Sequence, residues 1–215
     1  MKLEVVVCHF QEKLDWLSRL IHPYIVYNKN PNQTHLFEHN LPNMGFDTYT
    51  YLTYIIDRYD NLPDYVCFAQ DYPFDHCTNF VELVNEFNFD RSFQCLGIGY
   101  ERTSTSSVDK FCHLAQTFEL ARKLDIQYNL PIKFVSSAQC IVSRNLILKR
   151  SLESYQKINA IFPPYPHITN VNYNLEYLWP TILGFGNEIP VKWDGLEGVE
   201  QFKIHVDKSK LKSKL

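Results

Sequence analysis

The chain has 215 residues, enough for one α/β domain with its own hydrophobic core and too few for two comfortable domains. Its net charge of −3 at pH 7 argues against wholesale nucleic-acid binding, which needs a basic surface to neutralise phosphates. Hydrophobic residues make up 45% and charged residues 21%, which favours a folded globular domain over a disordered chain.

The sequence also carries signals for the cellular compartment and the domain organisation of the protein. Six cysteines occur without a CxxC pair, several of them inside apolar runs, which favours a reducing compartment. No apolar segment of about 18 residues is present, so we expect no membrane span, no secretion and a cytoplasmic location. We expect one domain over residues 1–207, followed by a basic tail or linker to further domains at 208–215.

The first elements are those of a nucleotide-binding α/β unit. The apolar run Leu3–Phe10 predicts a strand, and leucines at helical spacing predict a helix over Gln11–Leu20. No glycine-rich turn separates them, which argues against a classical NAD or P-loop site. A second strand, Tyr24–Tyr27, ends in the polar residues 28–30, which suit either a nucleotide contact or an ordinary polar turn.

The next loop contains HLFEH, which matches the HxxEH pattern of zinc peptidases at His35, Glu38 and His39. That pattern needs a long helix to place both imidazoles on one face. Pro31 and Pro42 leave room for barely two turns. We therefore expect the three residues to be dispensable and keep zinc hydrolysis as a minor alternative.

A helix is predicted from Phe46 to Tyr59, because apolar residues recur there on one face. Gly45 belongs to the turn before it, and Asp47 lies in its first turn. The amino end of this helix is a potential phosphate site, since free N–H groups and the helix dipole both favour an anion.

The most informative stretch follows. Tyr65–Ala69 is a continuous apolar run, typical of a strand buried on both faces, and it stops at Gln70 and Asp71. Pro73 prevents both continued pairing and an immediate helix, so the next side chains lie on a turn. Turns at the carboxyl ends of strands are where open α/β sheets bind ligands.

Three potential metal ligands lie on this turn: Asp71, Asp75 and His76. Two carboxylates and an imidazole suit a divalent cation that keeps positions for phosphate and water. The alternative is that Asp75 or Thr78 caps the following helix and His76 packs nearby.

The second half of the chain continues the alternation of strands and helices. The predicted elements are a helix carrying Phe80 to Phe87, a strand at Cys95–Ile98, a polar lid at 101–107, a helix after the capping-box pair Ser106 and Asp109, a strand over Ile132–Val142, and a helix from Ser143 through Ile158. Glu176 is the single acid of the aromatic segment Tyr173–Leu183, where desolvation is expected to raise its pKa. Together the elements predict an α/β fold with a mostly parallel mixed sheet flanked by helices on both sides.

The sequence resembles a family found in fungi, bacteria and large DNA viruses and catalogued as a domain of unknown function. The resemblance covers most of the chain and is densest at VVVCHFQEKLDWL, VYNKN, LPNMGFDTYTYLTYIIDRYDNLPDYVCFAQDYPFDH and AQCIVSR. Within that family the chain is similar to chlorovirus glycosyltransferase domains that build capsid glycans. This similarity implies a GT-A-like fold, a nucleotide-sugar donor such as UDP-glucose, a glycan or glycoprotein acceptor, Mn²⁺ or Mg²⁺ at a DxD-type turn, and the host cytoplasm as location.

A second resemblance concerns catalysis. AQCIVSR followed by LEYLWPTIL is similar to the pattern of branching N-acetylglucosaminyltransferases, in which the acid at the place of Glu176 is the catalytic base. Two departures from these families stand out. No literal DxD occurs, and Asp47 stands where relatives more often carry Glu.

We therefore expect a metal-dependent hexosyltransferase with Asp71, Asp75 and His76 at the metal. Glu176 and Asp71 are the expected catalytic residues. Glu176 would deprotonate the acceptor or stabilise an oxocarbenium-like state, unless it is a buried acid paired with Arg144 or Lys133. A non-catalytic carbohydrate-binding module remains the alternative function. The residues expected to bind the nucleotide sugar are His9, Phe10, Asn28, Lys29, Gly45, Tyr51, Gln70 and Arg144.

Overall fold

A six-stranded mixed sheet built from the apolar runs forms the centre of the fold. The computed structural model describes residues 1–97, 99–102, 114–127, 132–135, 139–162 and 171–184. The strands in chain order are β1 (Leu3–His9), β2 (Tyr24–Asn28), β3 (His39–Asn40), β4 (Tyr65–Gln70), β5 (Phe93–Cys95), β6 (Gly99–Arg102), β7 (Ile132–Val135) and β8 (Cys140–Ser143).

The order in the main sheet is β3-β2-β1-β4-β8-β5, and β6 pairs with β7 in a separate antiparallel sheet. β1 is parallel to both β2 and β4, so His9 lies opposite Asn28, and Cys8 lies opposite Gln70. The last residues of three strands therefore meet at one edge of the sheet, which we call the carboxyl edge.

Helices cover both faces of the sheet. They are α1 (Phe46–Arg58), α2 (Phe80–Asn85), α3 (Leu114–Lys123), α4 (Arg144–Ile147), α5 (Leu152–Asn159) and α6 (Val171–Ile182), with short 3₁₀ helices at Asp15–Arg19, Pro31–Leu36, Tyr59–Asn61 and Pro73–Asp75. Alternate residues of β1 and β4 pack against α1 and α6 on one face and against Trp16 and α2 on the other. This double burial explains why these strands have apolar side chains at nearly every position.

The predicted fold class is confirmed: the chain forms a mostly parallel mixed sheet with helices on both sides. None of the helices in the described part of the chain is both long enough and apolar enough to cross a bilayer. The five cysteines that the structure describes are buried free thiols.

Several predicted elements were wrong in extent. Gln11–Leu20 contains only the 3₁₀ helix Asp15–Arg19, and Ile132–Val142 is divided between β7 and β8, which belong to different sheets. The predicted helix from Ser143 to Ile158 is two helices, because Ser151 accepts a hydrogen bond from the Ser154 amide and starts a new one.

Other local predictions had mixed outcomes. Ser143 does cap α4, whereas α2 begins at Phe80 without a cap from Thr78. Residues 103–107 of the predicted lid, the Ser106–Asp109 pair and the tail at 208–215 lie outside the described residues.

Two consecutive residues where α1 begins have positive φ: Gly45, which precedes the helix, at +63° and Phe46, its first residue, at +42°. A Cβ at Gly45 would lie 2.5 Å from the Cβ of Tyr49 and 2.7 Å from a ring carbon of Phe162. Both the backbone conformation and the available space therefore require glycine at this position.

We expect Gly45→Ala to lower the free energy of unfolding by about 2–4 kcal/mol, the combined cost of a left-handed alanine and a crowded Cβ. Urea unfolding measures the loss, with Asn43→Ala as an exposed control in the same turn, expected within about 0.5 kcal/mol of wild type. Equal unfolding midpoints for both variants would contradict the described turn.

Candidate functional site

Four ionisable side chains converge at the carboxyl edge, and we call them the polar cluster: His9, Lys29, Asp47 and Asp71. His9 ends β1, Lys29 follows β2, Asp71 follows β4, and Asp47 lies in the first turn of α1. His9 and Lys29 are each only 3% exposed. Such burial is rare for charged groups unless they are paired, so the cluster must be held by specific contacts.

Asp71 holds the loop that follows β1. Its Oδ2 accepts hydrogen bonds from the backbone N–H groups of Phe10, Gln11 and Glu12, at 2.9, 3.1 and 3.1 Å. The Trp16 indole donates to the Asp71 carbonyl at 2.8 Å. One carboxylate oxygen thus gathers three consecutive amides, and no hydrogen bond from the described residues reaches Oδ1.

His9 lies against the same carboxylate. Its Nδ1 is 3.4 Å from Asp71 Oδ2 and has no hydrogen-bond partner within the described structure, while its Nε2 is 3.1 Å from the Gln33 Oε1. The ring of Phe37 lies 4.8 Å away and covers the imidazole. A small movement would turn the Nδ1 approach into a histidine–carboxylate hydrogen bond, which would fix the imidazole tautomer.

Lys29 holds the turn before α1. Its ammonium donates to the carbonyls of Met44 and Phe46, the latter at 2.6 Å, and its backbone N–H donates to His9 at 2.8 Å. Burial lowers the pKa of Lys29, and the nearby Asp47 opposes that shift. Because the ammonium is hydrogen-bonded to these two carbonyls, Lys29 contributes a fixed positive charge and is not a mobile side chain that could bind a ligand directly.

Asp47 is half-buried beside this charge and accepts a hydrogen bond from the Gln70 amide at 2.6 Å. Burial raises its pKa, while the Gln70 bond and Lys29 oppose the rise. One turn further along α1, the hydroxyl of Tyr51 is buried and has no hydrogen-bond partner among the described residues. Burial also raises the pKa of the neighbouring Cys8 thiol, which makes it a poor nucleophile.

Most of the predicted nucleotide-sugar residues lie at this edge. Asn28 is fully buried and donates to Asn40 at 2.8 Å, Phe10 is exposed beside Asp71, and Gln70 bonds Asp47. Gly45 and Tyr51 lie in the turn before α1 and in α1 itself.

Arg144 does not lie with the other predicted nucleotide-sugar residues at the carboxyl edge. β8 is antiparallel to β4, so Ser143 pairs with Tyr65 at the opposite end of the strand. Arg144 there lies 3.7 Å from the Asp64 carboxylate and donates to the Leu62 carbonyl at 3.3 Å. The acid that Arg144 approaches in the described structure is thus Asp64, and not Glu176.

The predicted metal turn is a 3₁₀ helix, Pro73–Asp75, with Asp75 exposed and His76 at its end. No three His, Cys, Asp or Glu side chains of the described residues form a group that could hold a metal ion. His35, Glu38 and His39 lack the long helix that HxxEH requires, and His39 instead lies in β3 with its ring 5.2 Å from Tyr27. A cation near Asp71 and Asp75 would therefore need most of its ligands from a bound molecule and water.

Glu176 lies half-buried on α6, one turn after Tyr173. The Tyr173 ring is 6.4 Å from the ring of Phe46, and Trp179 lies 5.9 Å from Tyr51. These contacts place α6 beside the amino end of α1, on the side where Asp47 lies.

The predicted site residues do not include Asp47, Gln33 or Gln139. For Asp47 the sequence predicts only a place in the first turn of a helix and a departure from relatives that more often carry Glu. An acid in the first turn after a glycine, near a polar strand end, was a usable signal. Gln139 is fully buried, and its amide contacts the Gln70 N–H and the carbonyls of Leu96 and Pro73. No local pattern indicated these contacts, because their partners are distant in sequence.

Comparison with known proteins gives one match. Residues 5–94 match the model of a family described as "Protein of unknown function (DUF3431)". The matched stretch contains all four residues of the polar cluster and most of β1 to β5. No curated protein and no solved structure matches the chain.

We expect Asp47→Asn to change the pH dependence of stability. Burial raises the pKa of Asp47 in the folded protein above its ordinary value of 3.8. At a pH within the window between the unfolded and the folded pKa, the folded protein therefore keeps a proton that the unfolded chain has lost. Wild type should therefore lose stability as the pH rises through the window, and the amide should not. Urea unfolding at about pH 4.5 and about pH 8 measures the difference, with Asp57→Asn on the exposed face of α1 as control. Parallel curves for wild type and Asp47→Asn would contradict the role of burial.

Proposed function

We propose that this protein is a metal-dependent glycosyltransferase that moves a hexose from a nucleotide sugar, such as UDP-glucose, to a glycan or glycoprotein acceptor, as in viral capsid glycan synthesis. The observation that carries the proposal is the polar cluster at the carboxyl edge of β1, β2 and β4. Open α/β sheets bind nucleotide ligands at this position. The resemblance to chlorovirus glycosyltransferase domains supports the same conclusion.

The chain's own residues suggest how a donor would be held. Lys29 is fixed between two carbonyls, so it would favour the donor diphosphate through its charge rather than by direct contact. Phe10 is 39% exposed at the end of β1 and offers a surface on which a base could stack. Asp71 would keep Phe10 in place, since its Oδ2 bonds the Phe10 amide.

The residues at the acidic turn fit a cation shared with the donor. Oδ1 of Asp71, the exposed Asp75 carboxylate and the His76 imidazole are donor types that suit Mn²⁺ or Mg²⁺. Because the described residues form no three-ligand group, the diphosphate would have to complete the coordination. When bound, the cation would offset the negative charge that develops on the leaving nucleotide.

Glu176 is the proposed catalytic base. It lies one turn after Tyr173, whose ring is 6.4 Å from that of Phe46 at the start of α1. In an inverting reaction it would accept the proton of the acceptor hydroxyl. In a retaining reaction its charge would stabilise an oxocarbenium-like state instead. Asp71 would act on the donor side, where its second carboxylate oxygen lies among the strand ends.

The donor site is tested by titrating UDP-glucose with and without Mn²⁺. We expect wild type to bind only with the cation, and Asp75→Asn to weaken that binding at least ~10-fold, about 1.4 kcal/mol, without a change in melting temperature. Asp60→Asn, an exposed acid in the 3₁₀ helix that follows α1, is the control. Binding of free sugar together with no binding of UDP-glucose, with or without Mn²⁺, would favour the carbohydrate-binding module. Unchanged Mn²⁺ dependence in Asp75→Asn would remove this residue from the site.

Glu176→Gln keeps shape and hydrogen-bonding reach but removes basicity. Transfer should fall by roughly 10²- to 10⁴-fold with donor affinity nearly unchanged, because proton abstraction occurs only in the transition state. Turnover, donor affinity and melting temperature are measured on one preparation, with the exposed Glu153→Gln on α5 as control. A lowered melting temperature with normal turnover would show that Glu176 is structural.

A further inference from the structure

Phe46 combines two unfavourable properties. Its φ of +42° lies in the left-handed region, which glycine adopts freely but L-residues other than asparagine and aspartate adopt rarely. Its side chain is also 50% exposed to solvent. Asparagine would satisfy both the backbone and the solvent better than phenylalanine, so neither the backbone conformation nor the exposure favours an aromatic ring here. Such strained positions are concentrated at ligand sites.

The surrounding contacts impose this backbone. The Phe46 carbonyl accepts a hydrogen bond from the buried Lys29 ammonium at 2.6 Å, and the next residue, Asp47, is bonded to Gln70. The Phe46 backbone is thus bound to the polar cluster, while half of its side chain remains exposed. The ring therefore has a defined place at the border of the cluster.

A second ring stands beside it. Tyr173 of α6 lies 6.4 Å from Phe46, centroid to centroid, with the ring planes inclined at 48°. Glu176 follows one turn later on the same helix. The two rings thus occupy the space where the amino end of α1, with Asp47, approaches the part of α6 that carries Glu176.

We propose that Phe46 and Tyr173 form an aromatic subsite for the acceptor, which stacks the apolar C–H face of a hexopyranose ring. A pyranose has an apolar face and polar edges, and the rings and the neighbouring polar cluster match both. This inference rests on the proposed function for its choice of acceptor over donor. An acceptor hydroxyl must reach Glu176, and Phe46 and Tyr173 lie on that side of the site, whereas Phe10 lies by Asp71.

The test uses Phe46→Asn, which suits the left-handed backbone and removes the ring. Phe46→Tyr retains the ring, and Phe46→Leu keeps apolar bulk without a flat surface. The matched control is Tyr24→Asn, because Tyr24 is also 50% exposed but begins β2 at the opposite edge of the sheet. The probes are the methyl glycosides of glucose, galactose and mannose, observed by saturation-transfer NMR, and UDP with Mn²⁺, observed by calorimetry.

We expect wild type, Phe46→Tyr and Tyr24→Asn to transfer saturation to the ring C–H protons of at least one glycoside. Phe46→Asn and Phe46→Leu should bind that glycoside at least ~5-fold more weakly, the loss of one aromatic contact. UDP affinity should be equal in all variants, and Phe46→Asn should melt no lower than wild type.

Equal saturation transfer in wild type and Phe46→Asn, or none in wild type with any glycoside, would overturn the subsite. A fall in UDP affinity with unchanged glycoside binding would assign the rings to the nucleobase and overturn the acceptor assignment. Failure of UDP-glucose to bind wild type would reject the proposed glycosyltransferase instead, and the glycoside experiment would still decide whether the rings bind sugar.

Discussion

The organisation of the carboxyl edge depends on one buried cation, the ammonium of Lys29. It bonds the carbonyls of Met44 and Phe46 and lies near the carboxylate of Asp47, so it joins the end of β2 to the start of α1. Without it, two carbonyls would lose their partner and a partly desolvated acid would lose its counter-charge, each of which is costly. The positive φ values at Gly45 and Phe46 persist because this ammonium holds both carbonyls around the turn.

Asp71 makes the corresponding link between β1 and β4. Its Oδ2 gathers the amides of Phe10, Gln11 and Glu12, so the acidic turn and the first loop are one structural unit. The two oxygens of the Asp71 carboxylate thus have different surroundings: Oδ2 supports the fold, and Oδ1 accepts no hydrogen bond from the described residues. A residue can thus be necessary for the shape of a site and still take part in its chemistry.

The sequence predicted those features whose causes are local. Continuous apolar runs located β1 and β4, because strands buried on both faces need apolar side chains at every position. The helix over Gln11–Leu20 was wrong in extent, because the contact with Asp71, far along the chain, fixes residues 10–12 as a loop and leaves only the 3₁₀ helix Asp15–Arg19. Arg144 was placed with the nucleotide residues because the direction of β8 cannot be known from its own residues. The role of Asp47 was missed because burial and the Gln70 contact arise only in the folded sheet.

The described sheet ends in very short strands, with two residues in β3 on one side and three in β5 on the other. A long apolar edge would offer unpaired backbone groups to other copies of the chain and invite aggregation. Here the most aggregation-prone sequences, β1 and β4, are central and paired on both sides. The risk of aggregation through these hydrophobic central strands is therefore confined to the folding chain, in which they are exposed before their neighbours pair with them.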